Sequence, residues 1–263
     1  DFISFLIDIT FKSDKHKQLK EHQLKSAYHI SLVQNGAIFS VPGSGKTAVV
    51  LSIYEKLRLE GIVDTIFVVG PTSSFGPWRD EFKTTLDREP KYSQLNGGDY
   101  KLRELVYINN PSELYLTTFQ TLTNDQGRIK DLFQYNAKVF FVIDEAHYIK
   151  KVKGTWANAV INVAKHSIRR CILTGTPIPR NYSDLYNLFE ILWGDNSPFT
   201  YEVKERINAL EKRNNLTEIF QLLHDLIGPL FYRVGKKDLK LAEQKNNIIN
   251  IDMNPIESEI YKA

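Results

Sequence analysis

From its amino end the chain alternates between two kinds of segment. Short, strongly apolar runs rich in β-branched and aromatic residues occur at Ala37–Val41, Thr65–Gly70, Leu114–Thr118, Val139–Ile143 and Cys171–Thr174. Between them, apolar residues recur at helical spacing over Leu19–Val33, Lys46–Leu59, Pro77–Leu86, Thr121–Phe133 and Trp156–His166. Strands alternating with helices predict an α/β fold, with a mainly parallel central sheet covered by helices on both faces. Val139–Ile143 contains no polar residue, which marks a strand in the middle of such a sheet. Beyond Tyr182 the rhythm changes. Asp184–Trp193, Tyr201–Lys212 and Leu216–Ile227 read as consecutive helices, a C-terminal helical segment followed by a last strand-like run at Ile248–Met253. No internal repeat or low-complexity stretch interrupts the pattern, and the mixed charges of Lys204–Arg213 read as a solvated helix face.

Composition narrows the class without choosing a function. The 263 residues are 42% hydrophobic and 25% charged, enough to bury a sizeable core. Thirty-four basic residues face 31 acidic ones, for a formal charge of +3. That excess is too small to argue for a nucleic-acid partner, although it leaves room for a locally basic face. Cys171 is the only cysteine, so neither a disulfide framework nor a cysteine-rich metal site is available, and a reducing, cytoplasmic setting is expected. No apolar run approaches the ~20 residues that a membrane helix requires, so no membrane partner is expected. Asp1–Lys12 is interrupted by Asp8 and reads as the docked start of a domain rather than a signal peptide. The first residue is not methionine, and the chain is expected to be an excised part of something longer.

The chemistry concentrates at the ends of the predicted strands. Ser40-Val41-Pro42-Gly43-Ser44-Gly45-Lys46-Thr47 follows a strand and opens a helix. In that context glycines turn backbone N–H groups inward around phosphates, and the helix N-terminus adds a favourable dipole. Pro42, Gly43, Ser44 and Gly45 would form the cradle, Lys46 would set a compact charge on the outer phosphates, and Thr47 would offer its hydroxyl to Mg²⁺. Ser40 stands where the strict pattern has glycine. At the end of the most apolar strand comes Val142-Ile143-Asp144-Glu145-Ala146-His147. Asp144 is placed to hold Mg²⁺ through its waters, and Glu145 to orient or deprotonate an attacking water. Lysine, metal-holding carboxylate and water-positioning carboxylate are what phosphoanhydride hydrolysis asks of a protein, because its contribution is mostly positioning and electrostatics.

Taken in order, these elements resemble the Swi/Snf group of superfamily-two helicases. Asp144–His147 matches that superfamily's Asp-Glu-Ala-His box, whose His147 position is grouped with the nucleotide site. Leu173-Thr174-Gly175-Thr176-Pro177 resembles the element that couples nucleotide to a second lobe through Thr174, Gly175 and Thr176. Pro71-Thr72-Ser73-Ser74, followed by Trp78 and Glu81, is similar to a motif that contacts the nucleic-acid backbone. Leu116-Thr117-Thr118-Phe119 resembles another such contact, with Phe119 where tyrosine is usual. Leu19-Lys20-Glu21-His22-Gln23 resembles the family's opening helix, whose glutamine reads the adenine edge. The segments Leu230–Arg233 and Ile251–Tyr261 resemble the passage towards the second lobe. Pro179-Arg180-Asn181 and Tyr232 depart from the family's usual residues.

The resemblance implies a RecA-like P-loop NTPase lobe using ATP and Mg²⁺, preceded by a lead-in over 1–16, occupying 17–235, and followed over 236–263 by the start of a connection to a second RecA-like lobe. It implies a double-stranded DNA translocase, with Thr72, Ser73, Thr118 and the neighbouring Lys150, Lys151 and Lys153 as backbone contacts. Binding of that kind is salt-sensitive and blind to sequence. It also implies slow turnover by these residues alone, since the second lobe supplies the arginines that stabilise charge on the transferred phosphate. Trp78 reads as a core anchor rather than a base-stacking platform. Other readings stay open: an RNA helicase, the translocating subunit of a restriction or phage-defence complex, or, from a different class, a nucleotide-gated binding module that senses ATP without doing work.

Overall fold

A computed structural model of the chain describes residues 19–109, 111–149, 154–177 and 182–239. Helix α1 (Glu21–Leu32) leads into β1 (Asn35–Ile38), α2 (Lys46–Leu59), β2 (Thr65–Val69), α3 (Phe75–Leu86), β3 (Tyr92–Leu95) and α4 (Tyr100–Asn109). There follow β4 (Leu114–Thr117), α5 (Phe119–Asp131), β5 (Val139–Ile143), α6 (Thr155–Ala164) and β6 (Arg169–Leu173). Helices α7 (Asp184–Trp193), α8 (Tyr201–Lys212) and α9 (Leu216–Ile227) then precede the short strand β7 (Phe231–Tyr232).

The strands form one seven-stranded sheet in the order β3-β4-β2-β5-β6-β1-β7, with every pairing parallel. Alternation along each strand divides the core between the two faces. Phe67 and Val69 of β2 join Tyr115, Phe141, Ile143 and Ile172 under α5, α6 and α7. Their neighbours Ile66 and Val68 join Leu116, Phe140, Val142 and Leu173 under α1, α2 and α3. Since both faces are covered, β2 and β5 are buried at every position, as their uninterrupted apolar sequences require. Cys171 lies in β6 fully buried, and burial pushes its thiol up to about 12, so it serves as a small apolar residue. Among the described residues no helix is long and apolar enough to cross a membrane.

Three elements escaped the sequence pattern. Strand β3 is an edge strand whose residues alternate between exposed and buried, Tyr-Ser-Gln-Leu, and it lacks an apolar run. Helix α4 leaves Leu102, Leu105 and Ile108 exposed, which blurs its periodicity. Strand β7 is only two residues long. Strand β1 also sits earlier than expected, ending at Ile38 rather than Val41, and the next residues bond to the segment beyond it, Phe39 N–H to the Tyr232 carbonyl and Val41 N–H to the Val234 carbonyl. The predicted strand at Ile248–Met253, the lead-in over 1–16, the segment Pro179-Arg180-Asn181 and most of the connection over 236–263 lie outside the described residues.

The fold places a single rim at the carboxyl ends of the parallel strands. In open α/β sheets ligands bind along this rim. The loops after β1, β2, β4, β5 and β6 all emerge there, and they carry Gly43–Lys46, Pro71–Ser74, Thr118, Asp144–His147 and Thr174–Pro177 respectively.

Candidate active site

The turn between β1 and α2 has the backbone that its glycines allow. Gly43 has φ of +78° and Gly45 of +77°, both in the left-handed region. Gly45 caps α2, and Lys46 is the first residue of the helix. A methyl group on Gly45 would overlap the amide nitrogen of Gln23. Gly45→Ala therefore combines backbone strain with a clash. It is expected to cost about 1–3 kcal/mol of stability and to weaken nucleotide binding. Urea denaturation and titration with a fluorescent nucleotide would measure the two effects, and wild-type values in both would refute the assignment.

Lys46 donates from Nζ to the Ser40 carbonyl at 3.1 Å. Burial pushes its pKa below the ordinary lysine value, while the carboxylates of Glu145 and Asp144 pull it back up. The lysine is thus desolvated and within electrostatic reach of both acids. Ser44 is buried beside it, and its hydroxyl oxygen has no hydrogen-bond partner. Thr47 lies half-buried in the first turn of α2. Ser40, the departure from the strict motif, has a structural reason: its hydroxyl accepts the backbone N–H of Val234 at 3.0 Å, across 194 residues of sequence. The Val234 carbonyl in turn accepts from Val41 at 3.1 Å, so the chain beyond β7 is strapped to the glycine turn.

Across the rim, β5 delivers Asp144 with 8% of its surface exposed. Its Oδ2 accepts the Trp78 indole N–H at 2.9 Å, and its Oδ1 accepts the Glu145 amide at 2.9 Å. Burial holds the Asp144 carboxyl above the ordinary aspartate range, opposed by the bond from Trp78. Both donors are uncharged, and a buried carboxylate supported only by neutral donors fits a site for a cation. Glu145 has a left-handed backbone with φ of +49°, an outlier that costs about 1–3 kcal/mol and clusters at functional positions. Its Oε2 lies 3.0 Å from His147 Nδ1. His147 therefore faces Glu145, and its ring stacks on Tyr148 with centroids 4.5 Å apart.

The structure places the other residues singled out in the sequence as follows. Thr174 is fully buried, and its hydroxyl accepts from the Thr176 amide at 3.2 Å. A methyl on Gly175 would stand 3.1 Å from Pro42 Cδ, so the segment around Gly175 lies directly against the glycine turn. Gln23 is buried, and its amide nitrogen donates to the Ser44 carbonyl at 3.3 Å and the Gly45 carbonyl at 3.5 Å. Its Oε1 accepts from Lys20 at 2.8 Å. In this conformation Gln23 braces the glycine turn, and reading an adenine edge would require it to exchange partners. Thr118 caps α5, its hydroxyl accepting from the Thr121 amide at 3.1 Å and sitting 3.0 Å from the Thr121 hydroxyl. Thr72 and Ser73, expected from the sequence to contact a nucleic-acid backbone, are exposed in a single turn before α3. Lys150, Lys151 and Lys153 lie outside the described residues.

A parallel sheet with a left-handed glycine turn after β1, a helix-opening lysine and an acidic pair after β5, with β6 between the two strands, defines a RecA-like P-loop lobe. The chain belongs to the SNF2-related domain family, whose model matches residues 16–263. Human DNA excision repair protein ERCC-6-like is 27% identical over 251 residues, covering 88% of this chain and 20% of that protein. The ATP-dependent DNA helicase DDM1 of Arabidopsis thaliana is 27% identical over 252 residues, with 88% and 32% covered. The chain thus spans about a fifth to a third of the length of these curated relatives. The fold matches the Sulfolobus solfataricus SWI2/SNF2 ATPase core in complex with dsDNA with a TM-score of 0.69, at 22% identity, over 86% of this chain and 47% of that one.

Proposed function

We propose that this chain is the ATP-binding lobe of a motor that couples ATP hydrolysis to movement along double-stranded DNA. One observation carries the reading: Lys46 and the adjacent pair Asp144 and Glu145, far from it in sequence, meet in one partly desolvated cluster at the carboxyl rim. Family membership supports the choice of nucleotide, and the relatives, an ATP-dependent DNA helicase and a DNA excision repair protein, support the choice of DNA over RNA.

The division of labour follows from the geometry. Backbone amides of Gly43–Lys46 and the unpartnered Ser44 hydroxyl would receive phosphate oxygens, and Lys46 would leave the Ser40 carbonyl to meet them. Thr47 and Asp144 would hold Mg²⁺, which supplies charge neutralisation on the phosphates when bound. Glu145 would accept a proton from the attacking water, with His147 steadying its carboxylate. The Gly175 backbone, seated on Pro42, would carry changes in the turn towards a second lobe. Thr72 and Ser73, one short turn from Gly70 and Asp144, would meet the DNA backbone without reading bases.

In the full-length protein, double-stranded DNA is expected to raise ATP turnover at least tenfold, with RNA and unrelated polyanions much less effective. The stimulation should fall steeply as salt rises and be indifferent to DNA sequence. Stimulation by RNA alone would replace the DNA reading with an RNA one. Nucleotide binding with no turnover under any nucleic acid would favour the gated binding module.

A further inference from the structure

Trp78 does more than fill the core. It is 1% exposed, in the apolar cluster with Phe75, Phe82 and Val68, where a phenylalanine would keep an aromatic ring but not the full volume. What phenylalanine lacks is the indole N–H, the single donor of the side chain. Here it points at Asp144 Oδ2 at 2.9 Å, although the two residues are 66 apart in sequence. The other oxygen of the same carboxylate is pinned by the Glu145 amide at 2.9 Å. A third constraint comes from behind: a methyl on Gly70 would stand 3.1 Å from Asp144 Cβ and 3.3 Å from Ser74 Oγ, so the backbone just after β2 presses closely on the base of the side chain. Asp144 is thereby held at both oxygens and at its stem, with each oxygen accepting one of these bonds and keeping further lone-pair capacity.

We propose that Trp78 is a positioning residue for the cation-holding carboxylate, fixing the plane of Asp144 through its indole N–H. The proposal rests on the nucleotide-site reading above. Groups that orient a metal ligand from outside govern about ten- to a hundredfold in metal affinity. Trp78 also sits on α3, directly after Pro71–Ser74, so the helix that begins at the loop offered to DNA ends its first turn on the metal carboxylate.

The experiment is a titration of the full chain with fluorescent ADP, with Mg²⁺ and with EDTA, for the parent and for Trp78→Phe. The quantity read is the gain in affinity that Mg²⁺ confers. The parent is expected to show a clear gain, and Trp78→Phe to lose about ten- to a hundredfold of it while still unfolding cooperatively. A folded Trp78→Phe with the parent's full Mg²⁺ gain would overturn the proposal and leave the nucleotide site standing. A parent that binds no nucleotide would overturn the underlying reading, and the proposal with it. Should Trp78→Phe fail to fold, the parent labelled with ¹⁵N-tryptophan decides. Its three indole signals are assigned by Trp156→Phe and Trp193→Phe. The Trp78 signal is expected to move when Mg²⁺ is added to the ADP complex, and an unmoved signal would overturn the proposal.

Discussion

Lys46→Ala is expected to abolish measurable nucleotide binding at micromolar concentrations, a loss of about 3 kcal/mol or roughly a hundredfold or more. The magnitude follows from where the ammonium sits. An exposed lysine meeting a phosphate is worth little, because water competes for both charges. Lys46 is desolvated at the first turn of α2, and its surroundings already depress its pKa. Truncation there removes a charge-assisted contact in a place where the incoming phosphate finds no substitute. Stability should behave differently. The folded site disfavours the charged ammonium, so removing it is expected to leave the melting temperature unchanged or slightly raised. This separates a binding lysine from a structural one. Isothermal titration with Mg²⁺–ATP, beside a thermal melt, makes the comparison. Retained affinity in the variant would remove the glycine turn from consideration as the phosphate site.

Features that repeat along the chain were readable from sequence, and features made by one distant partner were not. Val139–Ile143 announces a central strand because five apolar residues in a row can be buried only between two layers. Lys46–Leu59 announces both its helix and its start, because the glycines before it permit only a turn. The same holds for the order of the site residues, since successive strands of a parallel sheet bring their carboxyl ends to one rim. Trp78 shows the limit. Its apolar ring assigns it to the core, and the core is where it lies, but nothing local indicates that its N–H finds Asp144. Ser40 looks like a weakened motif until Val234 is seen to donate to it. Gln23 was expected to face a base and instead braces the carbonyls of Ser44 and Gly45, a choice decided by how α1 packs on the turn. Strand β3 hid for another reason. An edge strand with one solvated face carries no continuous apolar signal.

The strained backbone at Glu145 leads to the second large effect. A non-glycine residue with φ of +49° holds its position only because the surrounding structure compels it. Here one constraint is visible: its backbone amide is tied to Asp144 Oδ1 at 2.9 Å. The role proposed for its carboxylate, next to Asp144 and within electrostatic reach of Lys46, is that of base to a water attacking a bound phosphate. Glu145→Gln keeps the size, the amide bond and the backbone, and removes only the basicity. In the full-length protein with double-stranded DNA it is expected to lower kcat by about 10²–10⁴-fold, with ATP affinity within a few-fold of the parent. The variant should then hold unhydrolysed ATP and remain on DNA longer than the parent does. A single-turnover assay with radiolabelled ATP, run beside an equilibrium titration, separates chemistry from binding. Loss of both in a folded variant would make Glu145 a binding group and move the base elsewhere. Near-normal turnover would mean that water is activated without a protein carboxylate, leaving the strain at Glu145 to serve the positioning of Asp144 alone.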